Sequence, residues 1–122
     1  MVNPMRVFMI GFAAALAFGH AAAAHAFLDR AEPRVGSGVA APPAQVRLWF
    51  TEGLEPTLCV VKVDGPAGFG GAGVAQTLGA DRRALVASLR KPVPAGRYVV
   101  HWRVVSVDSH MTNGDFSFEV RP

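Results

Sequence analysis

The sequence predicts an all-β domain: an antiparallel, immunoglobulin-like β-sandwich of about seven strands with Greek-key connections, behind a cleaved amino-terminal leader. Three observations predict it. Apolar residues recur at every second position in one segment after another, as in strands with one buried face. Clusters of Gly, Pro, Asn and Asp break those segments at short intervals. Beyond the leader no stretch has helical periodicity, and 122 residues suit one domain rather than two.

The leader comes first. Met1 to Arg6 carries one positive charge, Val7 to Phe18 is an unbroken run of apolar or small residues, and alanines follow. This is the pattern of a secretory signal. Its apolar run of about a dozen residues is short for a hydrocarbon core of roughly 30 Å, so no stable membrane anchor is expected. Two cuts fit the small-residue rule. One, after Ala24, makes residues 1–24 the signal and 25–122 the domain; the other, after Ala26, discards His25. The rule does not choose between them.

The strands follow in order. QVRLWF places Val46, Leu48 and Phe50 on one face, and TLCVVKV does the same with Cys59, Val61 and Val63. ALVASL aligns Leu85, Ala87 and Leu89. RYVVHWRVV, the longest, sets Tyr98, Val100, Trp102 and Val104 against Val99, His101, Arg103 and Val105. DFSFEV turns Phe116, Phe118 and Val120 inward. Turns are expected at GSG, APP, Asp64-Gly65-Pro66, GAD, KPVPAG and Asn113-Gly114.

Composition narrows the function. The chain is 51% hydrophobic and 17% charged, with formal net charge +3 and a pI near 9.8. Its Lys and Arg are scattered rather than gathered with aromatics on one element, which argues against a nucleic-acid partner. Export implies an oxidising compartment, yet the one cysteine, Cys59, excludes an intrachain disulfide. Cys59 reads as a small core hydrophobe, because a blue-copper site would need a histidine and a thioether that its surroundings in sequence lack. Gly68 to Gly73 matches G-x-G-x-x-G, but neither a following helix nor an acidic residue about 20 positions on accompanies it, so it reads as a glycine loop.

VVSVDSHMTNGDFSF holds the sharper signal. Asp108 and His110 are two residues apart, and on an extended chain their side chains would leave the same face and converge on one ion. Taken alone, the pair reads equally as a turn residue beside a solvated histidine. Cleavage after Ala24 would add donors. The freed α-amine and the imidazole Nδ1 of His25 can close a six-membered chelate, and with His110 and Asp108 they make an N3O set. Nitrogen-rich, thiolate-free, tetragonal coordination suits Cu(II), whereas zinc prefers a tetrahedron.

These residues carry a resemblance. From His25 onward the chain resembles the CopC family of periplasmic copper-binding proteins, through the L-x-x-x-x-P segment Leu28 to Pro33, the strand end Phe50-Thr51-Glu52, the run PAGRYVVHWRVVSVDSH and the closing GDFSFEV. The resemblance implies Cu(II) ligands at His25, Asp108 and His110, with Glu52 as a weaker or outer ligand. It implies a periplasmic protein that carries or sequesters copper without catalysing a reaction, with an inner-membrane copper transporter of the CopD type as the acceptor. The methionine-rich Cu(I) loop of some family members has no counterpart, since the region from Asp64 to Leu78 contains neither Met nor His. That points to the Cu(II)-only branch. Met111, where the family usually has proline, reads as a packing or exposed residue. His101 reads as a surface strand residue, about 30 Å from His110 along a straight strand. Two other functions fit parts of the pattern: a copper-dependent oxidative enzyme with a terminal-histidine chelate, and a metal-free immunoglobulin-like module.

Overall fold

The computed structural model describes residues 25–69, 71 and 76–122. The leader with its expected cut, and part of the glycine loop, lie outside the described residues. Eight strands follow one another: β1 (Leu28–Glu32), β2 (Gly38–Val39), β3 (Gln45–Phe50), β4 (Val60–Asp64), β5 (Gln76–Leu78), β6 (Asp81–Ser88), β7 (Gly96–Val105) and β8 (Met111–Val120). They form two four-stranded sheets, ordered β1-β3-β6-β5 and β2-β8-β7-β4. The pairs are antiparallel except β2 with β8. Among the described residues the helical content is a single 3-10 turn, Pro56–Leu58, and no helix is long and apolar enough to cross a membrane.

The alternation seen in the sequence is the packing code of the two sheets. Val46, Leu48 and Phe50 of β3 and Leu85 and Ala87 of β6 face Tyr98, Val100, Trp102 and Val104 of β7 and Phe116, Phe118 and Val120 of β8, all buried in one core. Fully burying a side chain such as Leu48 contributes about 1.5–3 kcal/mol. The Tyr98 ring stacks on Phe118 at 5.2 Å. Its hydroxyl donates to the Pro94 carbonyl four residues upstream, which ties the KPVPAG turn to the strand it feeds.

Two turn expectations give way to strands. Gly36 does turn the chain, at φ +74°, but Gly38 of the same GSG enters β2, which accounts for the eighth strand and the parallel pair. Asn113-Gly114 lies inside β8 rather than in a turn. Gly114 sits opposite Trp102 in register, and a Cβ there would come 2.6 Å from the indole Cζ2. Glycine is needed at this position for space, not for a turn.

The long β7–β8 hairpin, in register from Gly96↔Val120 to Val105↔Met111, fixes where the candidate site lies. Its tip, residues 106–110, reaches the end of the sandwich at which β1 begins and β3 finishes, Leu28 pairing with Phe50.

Candidate metal centre

The hairpin tip is built on Ser106. It continues the inward parity of Tyr98, Val100, Trp102 and Val104 and is 1% exposed, the one buried polar residue among those described. Its N–H donates to the His110 carbonyl (2.9 Å), closing the loop, and it bridges to Leu54. The Val107 N–H donates to Gly53 (2.9 Å), and Ser109, at φ +74°, donates to the Ser106 carbonyl (2.8 Å). The chain here is therefore a tight turn. The expectation that Asp108 and His110 share the face of an extended strand does not hold, because the loop must close back onto β8.

The turn nevertheless brings the pair together. Asp108 Oδ1 lies 3.2 Å from His110 Nδ1, and the Ser106 hydroxyl donates to the same carboxylate oxygen. The Ser106 Oγ accepts from the His110 N–H at 3.3 Å. His110 Nδ1 is shielded from solvent and has no well-aligned hydrogen bond. The Ser106 hydroxyl first, and His110 second, hold the Asp108 carboxyl at about 2, well below the usual carboxylate range. Asp108 is an anion at any physiological pH.

His25 reaches the same place from the other sheet. Ala26 is fully buried and acts as the anchor. Thr112 Oγ1 donates to the Ala26 carbonyl (2.6 Å), the Phe27 N–H donates to Thr51 Oγ1 (2.9 Å), and the Thr51 N–H donates to the Phe27 carbonyl (2.9 Å). Held in this way, the His25 ring lies 4.7 Å from the His110 ring, centre to centre, at 37°. Of the expected site residues, the structure thus brings His25 to His110 and Asp108 to His110. Glu52 lies two residues past the end of β3, next to Thr51, but its carboxylate makes no hydrogen bond or ion pair among the described residues. No group of three or more His, Cys, Asp and Glu side chains among the described residues is spaced to hold a metal ion by itself. Two imidazoles and a carboxylate with no thiolate are nonetheless donors for a borderline divalent ion, and the α-amine of a processed His25 would be a further nitrogen.

Sequence reasoning missed Ser106, Thr51 and Thr112. The signal for Ser106 was its parity: every second residue from Tyr98 is buried, so a serine in that series needs hydrogen-bond partners. The two threonines carried no comparable signal, since their partners are backbone atoms distant in sequence.

Other residues keep apart from this end. His101 Nε2 lies 2.9 Å from Asp64 Oδ2 on the outer face of β7, as expected of a surface histidine. Cys59 is buried, its thiol donates to the Glu55 carbonyl (3.3 Å), and burial pushes its pKa up. Met111 is exposed. Phe27, Leu58, Val60 and Val107 are exposed as well, and Phe27, Val107 and Met111 lie within two residues of His25, Asp108 and His110 in sequence.

Comparison with known proteins completes the picture. The CopC domain family model matches residues 28–121. Protein YobA of Escherichia coli K12 is 35% identical over 103 residues, covering 80% of this chain and 80% of its own. Copper resistance protein C of Escherichia coli is 36% identical over 107 residues, covering 82% and 84%. The crystal structure of CopC from Methylosinus trichosporium OB3b superposes with a TM-score of 0.72 at 32% identity, over 80% of this chain and 95% of that one. With the family model spanning nearly all the described residues and the sandwich shared, the chain belongs to the CopC family, whose members include copper resistance proteins.

Proposed function

We propose that the protein is a periplasmic Cu(II) carrier or sequestering protein whose site is completed by removal of residues 1–24. The observation that carries this reading is the approach of the His25 and His110 rings to 4.7 Å, with ionised Asp108 against His110. The α-amine and imidazole of His25, His110 and Asp108 supply nitrogens and one anionic oxygen, a set suited to tetragonal Cu(II). Glu52 is the outer candidate, close in sequence to the Thr51 clasp. The absence of Met and His from Asp64 to Leu78 supports a Cu(II)-only protein, since soft Cu(I) would want thioethers.

No reaction is assigned. An anionic oxygen stabilises Cu(II) over Cu(I) and so opposes the redox cycling that an oxidative enzyme needs. The exposed Phe27, Val107 and Met111, each within two residues of a proposed ligand, support delivery by docking, because exposed apolar side chains beside a metal centre suit covering by an acceptor. An inner-membrane transporter of the CopD type is the acceptor proposed. The test is a Cu(II) titration of the exported protein followed by electron paramagnetic resonance. The expected result is one tight tetragonal signal with nitrogen couplings, greatly weakened in His110→Ala; a variant that binds as tightly as the parent with the same spectrum would remove His110 from the site.

A further inference from the structure

Two of the three residues ahead of β1 lie in solvent, and the one between them does not. His25 and Phe27 are exposed while Ala26 has no exposed surface, so the two-residue alternation of the strands continues ahead of Leu28. The Ala26 methyl belongs to the core cluster that holds side chains of both sheets.

Ala26 is also where the main chain is last held firmly. From one sheet, Thr51 accepts the Phe27 N–H on its hydroxyl (2.9 Å) and gives its own N–H to the Phe27 carbonyl (2.9 Å). From the other, Thr112 of β8 donates to the Ala26 carbonyl at 2.6 Å. Among the described residues the hydrogen bonding of the His25 main chain is reduced to a long contact, from the Thr51 hydroxyl to its carbonyl at 3.5 Å.

Position 26 is therefore restricted in size, and the distance from it to His25 is restricted in length. Core side chains pack without voids, and added methylenes force backbone shifts. One more residue between the anchor and the histidine would add roughly 3.3–3.6 Å of extended chain and turn the histidine to the opposite face. The His25 and His110 rings stand 4.7 Å apart, centre to centre, so either change is large enough to part them.

We infer that Ala26 is a positioning residue that sets the frame of the amino terminus: its buried methyl and clasped carbonyl fix His25 one residue ahead of the core, so that only a terminal histidine directly before Ala26 brings its chelate to His110. The inference rests on the copper reading above only for its last step, because the ring approach belongs to the metal-free protein.

The test uses protein beginning at His25 and two variants. One is Ala26→Leu; the other carries one extra alanine between His25 and Ala26, which keeps every proposed donor and every core residue. In the metal-free parent, NOE contacts should join the His25 and His110 rings, and both variants should lose them. In the insertion variant the Phe27 amide should stay as protected from exchange as in the parent, because its bonds to Thr51 are untouched. With Cu(II) bound, each variant should show one nitrogen coupling fewer than the parent in paramagnetic resonance, and affinity should fall about 10–100-fold. Parent-like ring contacts and a parent-like copper spectrum in either variant would overturn the inference and leave the copper reading standing. Loss of Phe27 protection in the insertion variant would overturn it too, since the anchor would not have held. If Ala26→Leu does not fold, the insertion variant decides alone. A parent that binds no Cu(II) would overturn the copper reading, while the ring contacts of the metal-free protein would still judge Ala26.

Discussion

At the scale of single residues, Asp108 is held ionised by its neighbours. In the native protein Asp108 holds its charge down to about 2, against 3.8 for an ordinary aspartate, chiefly through Ser106. A group whose pKa is lowered on folding stabilises the native state above its unfolded pKa, and that contribution is lost as pH falls through the folded one. Asp108→Asn should therefore flatten the acid limb of stability below about pH 4, read by melting temperature against pH. On the proposed copper reading, release at milder acidity would have another cause. Protons compete with the metal for its nitrogen donors. Cu(II) affinity should fall as pH drops, and Asp108→Asn should lower the whole curve without moving that fall; a midpoint displaced in the variant would mean that the carboxylate, not the nitrogens, governs release. His25, Asp108 and His110 were legible as candidates because their side chains are of metal-ligating types. Ser106 was not read, because its role lies in a hydrogen bond that only the turn creates.

Among the elements, the β7–β8 hairpin and the segment 25–27 decide whether the site exists. Gly114→Ala would drive a methyl into Trp102 and should cost about 1–3 kcal/mol of stability in a denaturant titration. Thr112→Val keeps shape but removes the hydrogen bond to the Ala26 carbonyl, and should cost about 1 kcal/mol. Its larger effect should be local. Amide exchange at Ala26 and Phe27 should speed up while β3 and β7 stay protected, and uniform protection would show that the threonine clasp is not what holds His25 in place. Strand alternation made β3, β4, β6, β7 and β8 readable, since side-chain parity is a local property. Asn113-Gly114 misled because turn preference is local too, whereas the indole that requires a glycine arrives from the neighbouring strand.

For the whole molecule, two sheets and one apolar core do the work that disulfides do in many exported domains. With Cys59 buried and unpaired, stability rests on packing, so Leu48→Ala, at a fully buried position, should cost about 2–5 kcal/mol in chemical denaturation. The sandwich carries the first residues of the domain and the hairpin tip to one end, from positions more than eighty residues apart in sequence, as the Thr112 to Ala26 bond illustrates. Fold class was legible from the sequence for this reason: each of β3, β4, β6, β7 and β8 carries its own share of the pattern. The candidate site was legible only as separate pieces, because the approach of His25 to His110 depends on sheet order, and its proposed completion depends on where the leader is cut. That cut gives the account its most direct test. Cu(II) affinity and the paramagnetic resonance spectrum should be compared for protein beginning at His25 and for protein with one alanine ahead of it. The account predicts that the extra residue, by turning the α-amine into an amide, abolishes the tight tetragonal signal; the same affinity and the same spectrum in both forms would contradict it.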